Sequence, residues 1–257
     1  MSQVLNIAAY KFAPLRGLEG LREELKSLCE GLDLRGTILL APEGINLFLA
    51  GTRESINAAL ERLRAIPGFE DLKCKESFST RPPFRKLLVK VKREIIAFGR
   101  PEVAPVERTS PRIAPVQLKQ WLDEGRDFTL LDTRNTYEVE IGSFANAITP
   151  PLVDFQQFPA AVDTLPSELR QKPVVTFCTG GIRCEKAALW LELAGFENVL
   201  QLDGGILKYF EDCGGAHFRG NCFVFDEREA VTPELTPVSE VRHDGEAVGL
   251  VMGDLAG

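Results

Sequence analysis

Histidine is scarce in this 257-residue chain, which contains only His217 and His243. No HExxH motif and no paired CxxC spacing occurs, so a metal centre built from protein ligands is not expected. Cys213, His217 and Cys222 are only three candidate zinc ligands, and their irregular spacing argues against a zinc site. No segment has the features of a flavin, nicotinamide or iron site. The sequence therefore predicts no metal and no evident cofactor.

Long apolar runs are also absent. No stretch approaches the ~20 apolar residues of a membrane span, and the first residues lead into a strand-like pattern instead of a signal peptide. We therefore expect a cytoplasmic protein without a membrane partner. Six cysteines are too few and too scattered for a disulfide framework, so reactive or buried thiols are expected.

Positive charge is concentrated in one segment of an otherwise acidic chain. The net charge is −7, yet residues 81–93 carry six cations and no acid. Alternate residues of a strand point to opposite faces. The three lysines of this segment can therefore line one face, while Leu87, Val89 and Val91 face a core. We define the basic strip as Arg81, Arg85, Lys86, Lys90, Lys92 and Arg93. With Phe84, which could stack on a base, the strip is a candidate nucleic-acid surface; the alternative is a solvated edge strand protected by lysines.

The first part of the chain alternates strand-like and helix-like periods. A strand at 4–10, a helix at 18–31 and two strands around the turn at 42–44 precede a helix at about 53–65 and further strands. The order β-α-β-β-α-β predicts a ferredoxin-like, or acylphosphatase-like, α+β sandwich over residues 1–97. Prolines at 101, 105 and 111 then predict a linker over 98–113.

A second domain is predicted over residues 114–212. Short apolar strands at 128–131, 174–177 and 199–202 alternate with helical segments, which is typical of an α/β domain with a parallel sheet. Ligand sites in such sheets lie beyond the carboxyl ends of the strands, where Asp132 and Cys178 fall. Residues 213–257 lack a sustained period and are predicted to form an irregular tail.

The segment from Cys178 to Lys186 carries the chemistry. A cysteine between a buried strand, a glycine-rich turn and a helix start would lie among free backbone N–H groups that stabilise an anion. The loop that follows it consists of Thr179, Gly180, Gly181, Ile182 and Arg183. The N–H groups, the helix dipole and the Arg183 charge predict a lowered pKa for the Cys178 thiol.

Other roles remain open for the cysteines and polar residues near this loop. Cys178 itself could be a buried packing residue. Cys184 could be a resolving thiol, a second reactive site or a packing residue at the start of the helix. Asp132 and Arg134 are expected to brace the edge of the site by an ion pair. Glu43 and Asn46 could touch substrate, although shaping a hairpin turn explains them better.

The Cys178 loop, the segment Leu131-Asp132-Thr133-Arg134 and the later Leu202-Asp203-Gly204-Gly205 resemble a rhodanese domain. That resemblance implies an α/β fold and a cysteine that carries a persulfide, here Cys178. The spacing Cys-x4-Arg is one residue shorter than the Cys-x5-Arg loop of the related cell-cycle phosphatases. The smaller loop suits sulfur better than phosphate, which leaves phosphatase activity as a weaker alternative.

Over about residues 4–231 the chain resembles the rhodanese-domain tRNA uridine hydroxylase family. The segments that carry this resemblance are Gly36 to Asn46, Cys178 to Ala187, Leu202 to Tyr209 and Cys222 to Arg228. The resemblance implies oxygen-dependent conversion of wobble uridine to 5-hydroxyuridine, with dioxygen as co-substrate, Cys178 as the essential cysteine and the tRNA anticodon arm as partner. The alternatives are a thiosulfate or persulfide sulfurtransferase and a noncatalytic partner-binding module.

Overall fold

A computed structural model describes residues 3–238 of the chain. The N-terminal domain contains five strands and two helices in the order β-α-β-β-α-β-β. They are β1 (Val4–Phe12), α1 (Leu18–Gly31), β2 (Arg35–Ala41), β3 (Gly44–Gly51), α2 (Arg53–Arg64), β4 (Cys74–Ser79) and β5 (Leu87–Val91). The strand order β4-β1-β3-β2-β5 confirms the ferredoxin-like prediction, with β5 added parallel to β2 at one edge.

The two faces of this sheet have different partners. Residues of one parity, such as Leu5, Ile7 and Leu47, pack with α1 and α2 into an apolar core. Residues of the other parity on β1 and β4 include Tyr10 and Lys75. We call the second surface the open face, because neither helix of the domain covers it. It meets the rest of the chain.

The second domain is built on a four-stranded parallel sheet with helices on both faces, as predicted. Its strand order is β6-β10-β9-β7. Two apolar clusters cover opposite faces of the sheet, and each contains residues from two or more helices. Its elements are β6 (Arg112–Ile113), α3 (Pro115–Asp123), β7 (Thr129–Asp132), α4 (Thr136–Ile141), β8 (Gly142–Phe144), α5 (Phe158–Asp163), β9 (Val174–Phe177), α6 (Ile182–Leu193), β10 (Val199–Leu202) and α7 (Gly205–Cys213).

The segment predicted to be a linker is packed against the second domain. Phe98 and Val103 belong to its apolar core, and the Phe98 ring centroid lies 5.0 Å from that of Phe155. Residues Arg112–Ile113 form the edge strand β6. The prolines interrupt regular structure here, but they do not prevent the apolar side chains between them from being buried.

The segment predicted to be irregular contains three short strands before residue 239. They are β11 (Phe218–Gly220), which pairs with β8, and β12 (Cys222–Phe223), which pairs with β13 (Ala230–Val231). Strands of two or three residues are too short to produce a period in the sequence. The rest of the predicted tail, residues 239–257, lies outside the described residues. Within residues 3–238, no helix is both long enough and apolar enough to span a bilayer.

Candidate active site

Cys178 follows β9 at the carboxyl edge of the parallel sheet, immediately before helix α6. Its Sγ accepts a hydrogen bond from the backbone N–H of Gly181 at 3.1 Å. Gly181 has a φ of +101°, a conformation that glycine adopts without strain, and α6 begins at the next residue. The sulfur therefore lies at the N-terminus of a 12-residue helix, where backbone dipoles favour negative charge. Cys178 is 1% exposed.

Backbone N–H groups at the start of helix α7 donate hydrogen bonds to the same loop. The N–H of Ile206 donates to the carbonyl of Cys178 at 2.9 Å, and that of Leu207 donates to the carbonyl of Thr179 at 3.1 Å. Gly205 approaches so closely that a Cβ there would lie 2.4 Å from the Cys178 carbonyl oxygen. The close contact explains the need for glycine at this position.

Opposing influences set the pKa of the Cys178 thiol. Burial raises it, whereas a hydrogen bond from the Cys184 thiol, the Arg183 charge and the N–H groups of Arg183 and Gly181 lower it. The lowering influences prevail, and the pKa of Cys178 falls to about 5. Burial and the hydrogen bond to Cys178 raise the pKa of Cys184 well above its usual value. Near neutral pH the pair therefore carries one negative charge, held on Cys178.

Arg183 reaches the site together with a carboxylate that the sequence analysis did not identify. Its guanidinium donates to both oxygens of Glu138, at 2.5 Å to Oε2 and 2.7 Å to Oε1. Both side chains are buried. Glu138 also accepts a hydrogen bond from Thr179 Oγ1 at 3.3 Å. The Arg183 charge was expected to act on the Cys178 sulfur alone, but it is also paired with Glu138. This ion pair connects α4 to the loop.

Asp132 and Arg134 form the ion pair that was expected at the end of β7. Arg134 Nη2 lies 2.7 Å from Asp132 Oδ2, and neither side chain has any exposed surface. Arg134 also donates to the Gly142 carbonyl at 2.7 Å, and Ser143 Oγ donates to Asp132 at 2.7 Å. This cluster fixes the ends of β7 and β8 beside the loop.

The N-terminal domain contributes two side chains to the loop from its open face. Lys75 Nζ donates to the Gly180 carbonyl at 2.5 Å, and Tyr10 Oη donates to Glu185 Oε1 at 3.2 Å. A Cβ on Gly181 would lie 3.0 Å from Tyr10 Oη, so Tyr10 packs directly against the turn. The candidate site is therefore composite, and the sequence analysis identified neither Tyr10 nor Lys75.

Lys186 joins the two domains one turn into α6. Its side chain is 1% exposed, and its ammonium group lies 2.9 Å from Glu43 Oε1 and 2.8 Å from Glu94 Oε1. Glu43 also accepts the N–H of Ile95 at 2.8 Å. Asn46 donates to the Ile95 carbonyl at 3.1 Å. The side chains of Glu43 and Asn46 thus bind Ile95, and Glu43 also binds Lys186 of the second domain; these contacts lie outside the hairpin turn that the two residues were expected to shape.

A second polar network surrounds the buried carboxylate of Glu185. Arg112 Nη2 donates to Glu185 Oε1 at 2.5 Å, while Thr109 Oγ1 and Gln201 Nε2 donate to Oε2 at 2.6 and 3.2 Å. The start of α6 therefore presents Arg183, Glu185 and Lys186 to three different sets of partners, and all three side chains are buried. The helix that starts at the reactive loop is also the helix that anchors the domains.

The part of the basic strip on and next to β5 lies at the edge of the N-terminal sheet opposite β4, whereas Arg81 comes two positions after the end of β4. As the alternation predicts, the apolar residues Leu87, Val89 and Val91 pack against the domain core. Lys90 and Lys92 are half-buried on the other face, and Arg85 forms an ion pair with Glu227 at 3.0 Å. The cations at positions 81, 85, 86 and 93 are exposed.

Phe84 does not match the role expected for it. It is 6% exposed and lines an internal cavity, so its ring is not available to stack on a nucleotide base in this conformation. The physical reason is that the chain around Phe84 folds over the open face. Burial of an aromatic ring there is more favourable in free energy than its exposure to water.

That cavity lies between the open face, α7 and the segment that follows β12. Its volume is about 50 Å³, and its walls include Phe48, Lys75, Thr179 and Phe225. The Phe48 and Phe225 ring centroids are 6.3 Å apart. Arg228 closes one side, where it donates to Ser77 Oγ at 2.8 Å. The cavity thus adjoins the loop at Thr179.

The three residues considered for zinc have other surroundings, and Cys213 is partly buried against the apolar core. His217 Nε2 lies 2.7 Å from Asp123 Oδ1, and Cys222 is fully buried. Across the described residues 3–238, no cluster of three or more histidine, cysteine or acidic side chains is arranged to hold a metal ion.

Comparison with known proteins assigns both domains. Residues 4–95 match the family model described as a UPF0176 acylphosphatase like domain, and residues 114–212 match that of the rhodanese-like domain. The chain is also similar to the solution NMR structure of a rhodanese-like domain from Anabaena, with 22% sequence identity. The match covers 54% of this chain and 92% of that chain, with a TM-score of 0.38.

Full-length relatives match both domains together. A protein of Cupriavidus pinatubonensis named tRNA uridine(34) hydroxylase is 52% identical over 240 residues, which cover 91% of this chain and 85% of the relative. A protein of the same name from Thiobacillus denitrificans is also 52% identical, over 91% of this chain and 97% of the relative. The chain therefore belongs to the tRNA uridine(34) hydroxylase family.

Proposed function

We propose that this protein hydroxylates C5 of the wobble uridine at position 34 of tRNA, with dioxygen as co-substrate and Cys178 as the reactive residue. The observation that carries the proposal is the Cys178 sulfur at the start of α6, where it accepts the Gly181 N–H, in a chain that is 52% identical to proteins named for this activity. The thiolate is the nucleophilic form of cysteine, and it predominates at neutral pH only when the surroundings lower the pKa of the thiol, as they do here.

The net reaction defines what the site must receive. Replacing C5–H by C5–OH inserts one oxygen atom of dioxygen into the C–H bond. The second atom leaves as water, which requires two electrons and two protons from a reductant. We propose a thiol reductant, because thiols supply two electrons when a disulfide forms. The loop holds the sulfur anion and excludes water from it.

The composite site also suggests how tRNA is bound. In the strand order of the N-terminal sheet, β5 is four strands away from β4, which carries Lys75. At a spacing of ~4.8 Å per strand, the part of the basic strip on β5 lies roughly 19 Å from the strand beside the loop, whereas Arg81 follows the end of β4 itself. We propose that the exposed cations Arg81, Arg85, Lys86 and Arg93, with Lys90 and Lys92, contact phosphates of the anticodon arm while uridine 34 approaches Cys178.

Nucleoside mass spectrometry of tRNA tests the catalytic role. In cells that lack other routes to 5-hydroxyuridine, a gene copy with Cys178→Ala should give none of this nucleoside, whereas wild-type protein restores it. Cys29→Ala is the matched control, because it removes another buried thiol, from helix α1 in the core of the N-terminal domain. Unchanged 5-hydroxyuridine with Cys178→Ala would refute the proposal.

One observation also favours sulfur transfer as a second candidate function. The N–H groups around Cys178 could equally stabilise the outer sulfur of a persulfide. Sulfur transfer would proceed by attack of the thiolate on a sulfane donor such as thiosulfate, with sulfite leaving, followed by passage of that sulfur to a thiol or cyanide acceptor. Purified protein that neither gains a persulfide nor forms thiocyanate from thiosulfate and cyanide would exclude this candidate.

A further inference from the structure

Lys75 is a basic residue of the N-terminal domain that contacts the Cys178 loop. Its ammonium group donates to the Gly180 carbonyl at 2.5 Å, two residues beyond Cys178. Its Cε lies 3.4 Å from where a Cβ on Gly204 would stand. One side chain therefore contacts both the Cys178 loop and the glycine turn before α7.

The fold places Lys75 there by simple alternation along β4. Its neighbour Cys74 packs against the core under the helices, so Lys75 points from the open face towards the second domain. The β4 strand is at the edge of the sheet and pairs with β1, which carries Tyr10 to the same loop. This orientation follows from the register of the sheet.

The charges around Lys75 indicate what it does. Among residues 3–238, no carboxylate lies within ion-pair distance of its Nζ, whereas Arg183 is paired with Glu138 and Arg112 with Glu185. Burial lowers the pKa of Lys75; the opposing influences, in order of size, are Cys178, Asp203, Glu211 and Cys184. Cys178 has the largest of these influences on Lys75, whereas the largest influences that lower the pKa of Cys178 come from Cys184, Arg183 and backbone N–H groups.

The charged and titratable groups that face Cys178 come from several elements. Arg183 and Cys184 on α6, Tyr10 on β1 and Lys75 on β4 interact with Cys178 itself. Glu138 on α4 and Asp132 on β7 surround Arg183, and Glu185 on α6 lies beside Tyr10. Glu138 and Glu185 already neutralise the two arginines nearby. The cation that has no carboxylate partner comes from the other domain.

We propose that Lys75 is a positioning residue of the active site, and that its ammonium group stabilises negative charge at the Cys178 sulfur and holds the loop through Gly180. The N-terminal domain would then take part in the chemistry as well as in tRNA binding. The stabilisation of the thiolate does not depend on the hydroxylation reaction; its effect on turnover rests on the proposed function.

Titration of the Cys178 thiolate tests this role without substrate. The ultraviolet absorbance of the thiolate is followed with pH, and the curve of each variant's Cys178→Ala counterpart is subtracted. Lys75→Gln keeps a hydrogen-bond donor for Gly180 but removes the charge, so the pKa of Cys178 should rise by about one unit. Lys75→Arg should keep it near the wild-type value.

The matched control is Lys73→Met, which removes the same charge from an exposed residue two positions away. It should leave the Cys178 titration unchanged. An unchanged titration in folded Lys75→Gln, checked by circular dichroism, would overturn the proposal, as would an equal shift in Lys73→Met.

Turnover gives a second, separable readout. In a tRNA hydroxylation assay, Lys75→Gln should lower kcat severalfold at a pH below the shifted pKa and recover as the pH rises. A loss that does not vary with pH would argue against the electrostatic role. If wild-type protein forms no 5-hydroxyuridine, the proposed function fails, whereas the titration still decides the role of Lys75.

Discussion

Two buried cysteines in this protein have opposite acidities. Cys178 at the start of α6 and Cys222 on β12 are 1% and 0% exposed. Burial raises the pKa of Cys222 to about 12, with only partial opposition from Arg134. Cys178 has a pKa of about 5. The difference lies in the polar neighbours: Cys222 donates its proton to the Phe223 carbonyl at 3.5 Å, whereas Cys178 accepts an N–H at 3.1 Å.

Removing the Arg183 charge should have the largest effect on this contrast. Arg183→Met leaves Glu138 buried without its partner, so the free energy of unfolding should fall by about 3–5 kcal/mol. The pKa of Cys178 should also rise towards that of Cys222, because a cation that stabilises the thiolate is lost. Chemical denaturation measures the first effect and thiolate absorbance the second.

The double variant Arg183→Met with Glu138→Met is the control. It should recover part of the lost stability, because no unpaired carboxylate is then buried, while the pKa of Cys178 stays raised. Single and double variants of equal stability would contradict this account of the pair.

The turn at Gly181 should have the next largest effect. Gly181→Ala forces a side chain into a φ of +101° and against Tyr10 Oη, which should cost about 1–3 kcal/mol of stability. The pKa of Cys178 should rise as the N–H at 181 moves away from the sulfur. Gly195→Ala is a matched control, since Gly195 has a φ of +86° but open space around it. A Cys178 titration altered equally by both changes would contradict the prediction.

The pH dependence of stability should differ in sign between the two thiols. Its effect on the free energy of unfolding, per pH unit, is smaller than the effect of losing the Arg183 charge. An unfolded thiol has a pKa near ~8.5, so from about pH 5 to that value unfolding of the wild type takes up a proton at Cys178. The Cys178 contribution to the free energy of unfolding should rise by about 1.4 kcal/mol per pH unit in that window and be lost as the pH falls through about 5.

Cys222 should behave in the opposite way, because its folded pKa is raised. Its contribution is complete below ~8.5 and declines as the pH rises towards 12. Unfolding curves of the wild type, Cys178→Ala and Cys222→Ala over a pH series separate the two contributions. Parallel pH curves for the wild type and Cys178→Ala would mean that the folded state does not hold a thiolate at this position.

Local patterns made the fold and the geometry of the Cys178 loop predictable. The β-α-β-β-α-β order and the parallel sheet are confirmed, since each depends on periods within single segments. The glycine turn and helix start after Cys178 likewise predict an anion-stabilising loop, because the whole pattern lies within the nine consecutive residues from Cys178 to Lys186. The ion pair of Asp132 and Arg134 spans only two positions.

The remaining parts of the site depend on contacts between distant residues. Tyr10 and Glu185 are 175 positions apart, Lys75 and Gly180 are 105 apart, and Glu138 and Arg183 are 45 apart. No single-segment pattern identifies such partners. The same limit explains the wrong expectation for Phe84, whose burial depends on how the chain after β12 crosses the open face.

The Lys186 contact also has a consequence for the order in which the protein matures during synthesis. Glu43 leaves the ribosome 143 residues before its partner Lys186. At ~5–20 residues per second, that interval lasts roughly 7–30 s. The N-terminal domain can form its own core in this time, but Glu43, Glu94 and Tyr10 must wait for α6. Completion of the Cys178 site is therefore a late event, reached only when the second domain has been translated and has docked.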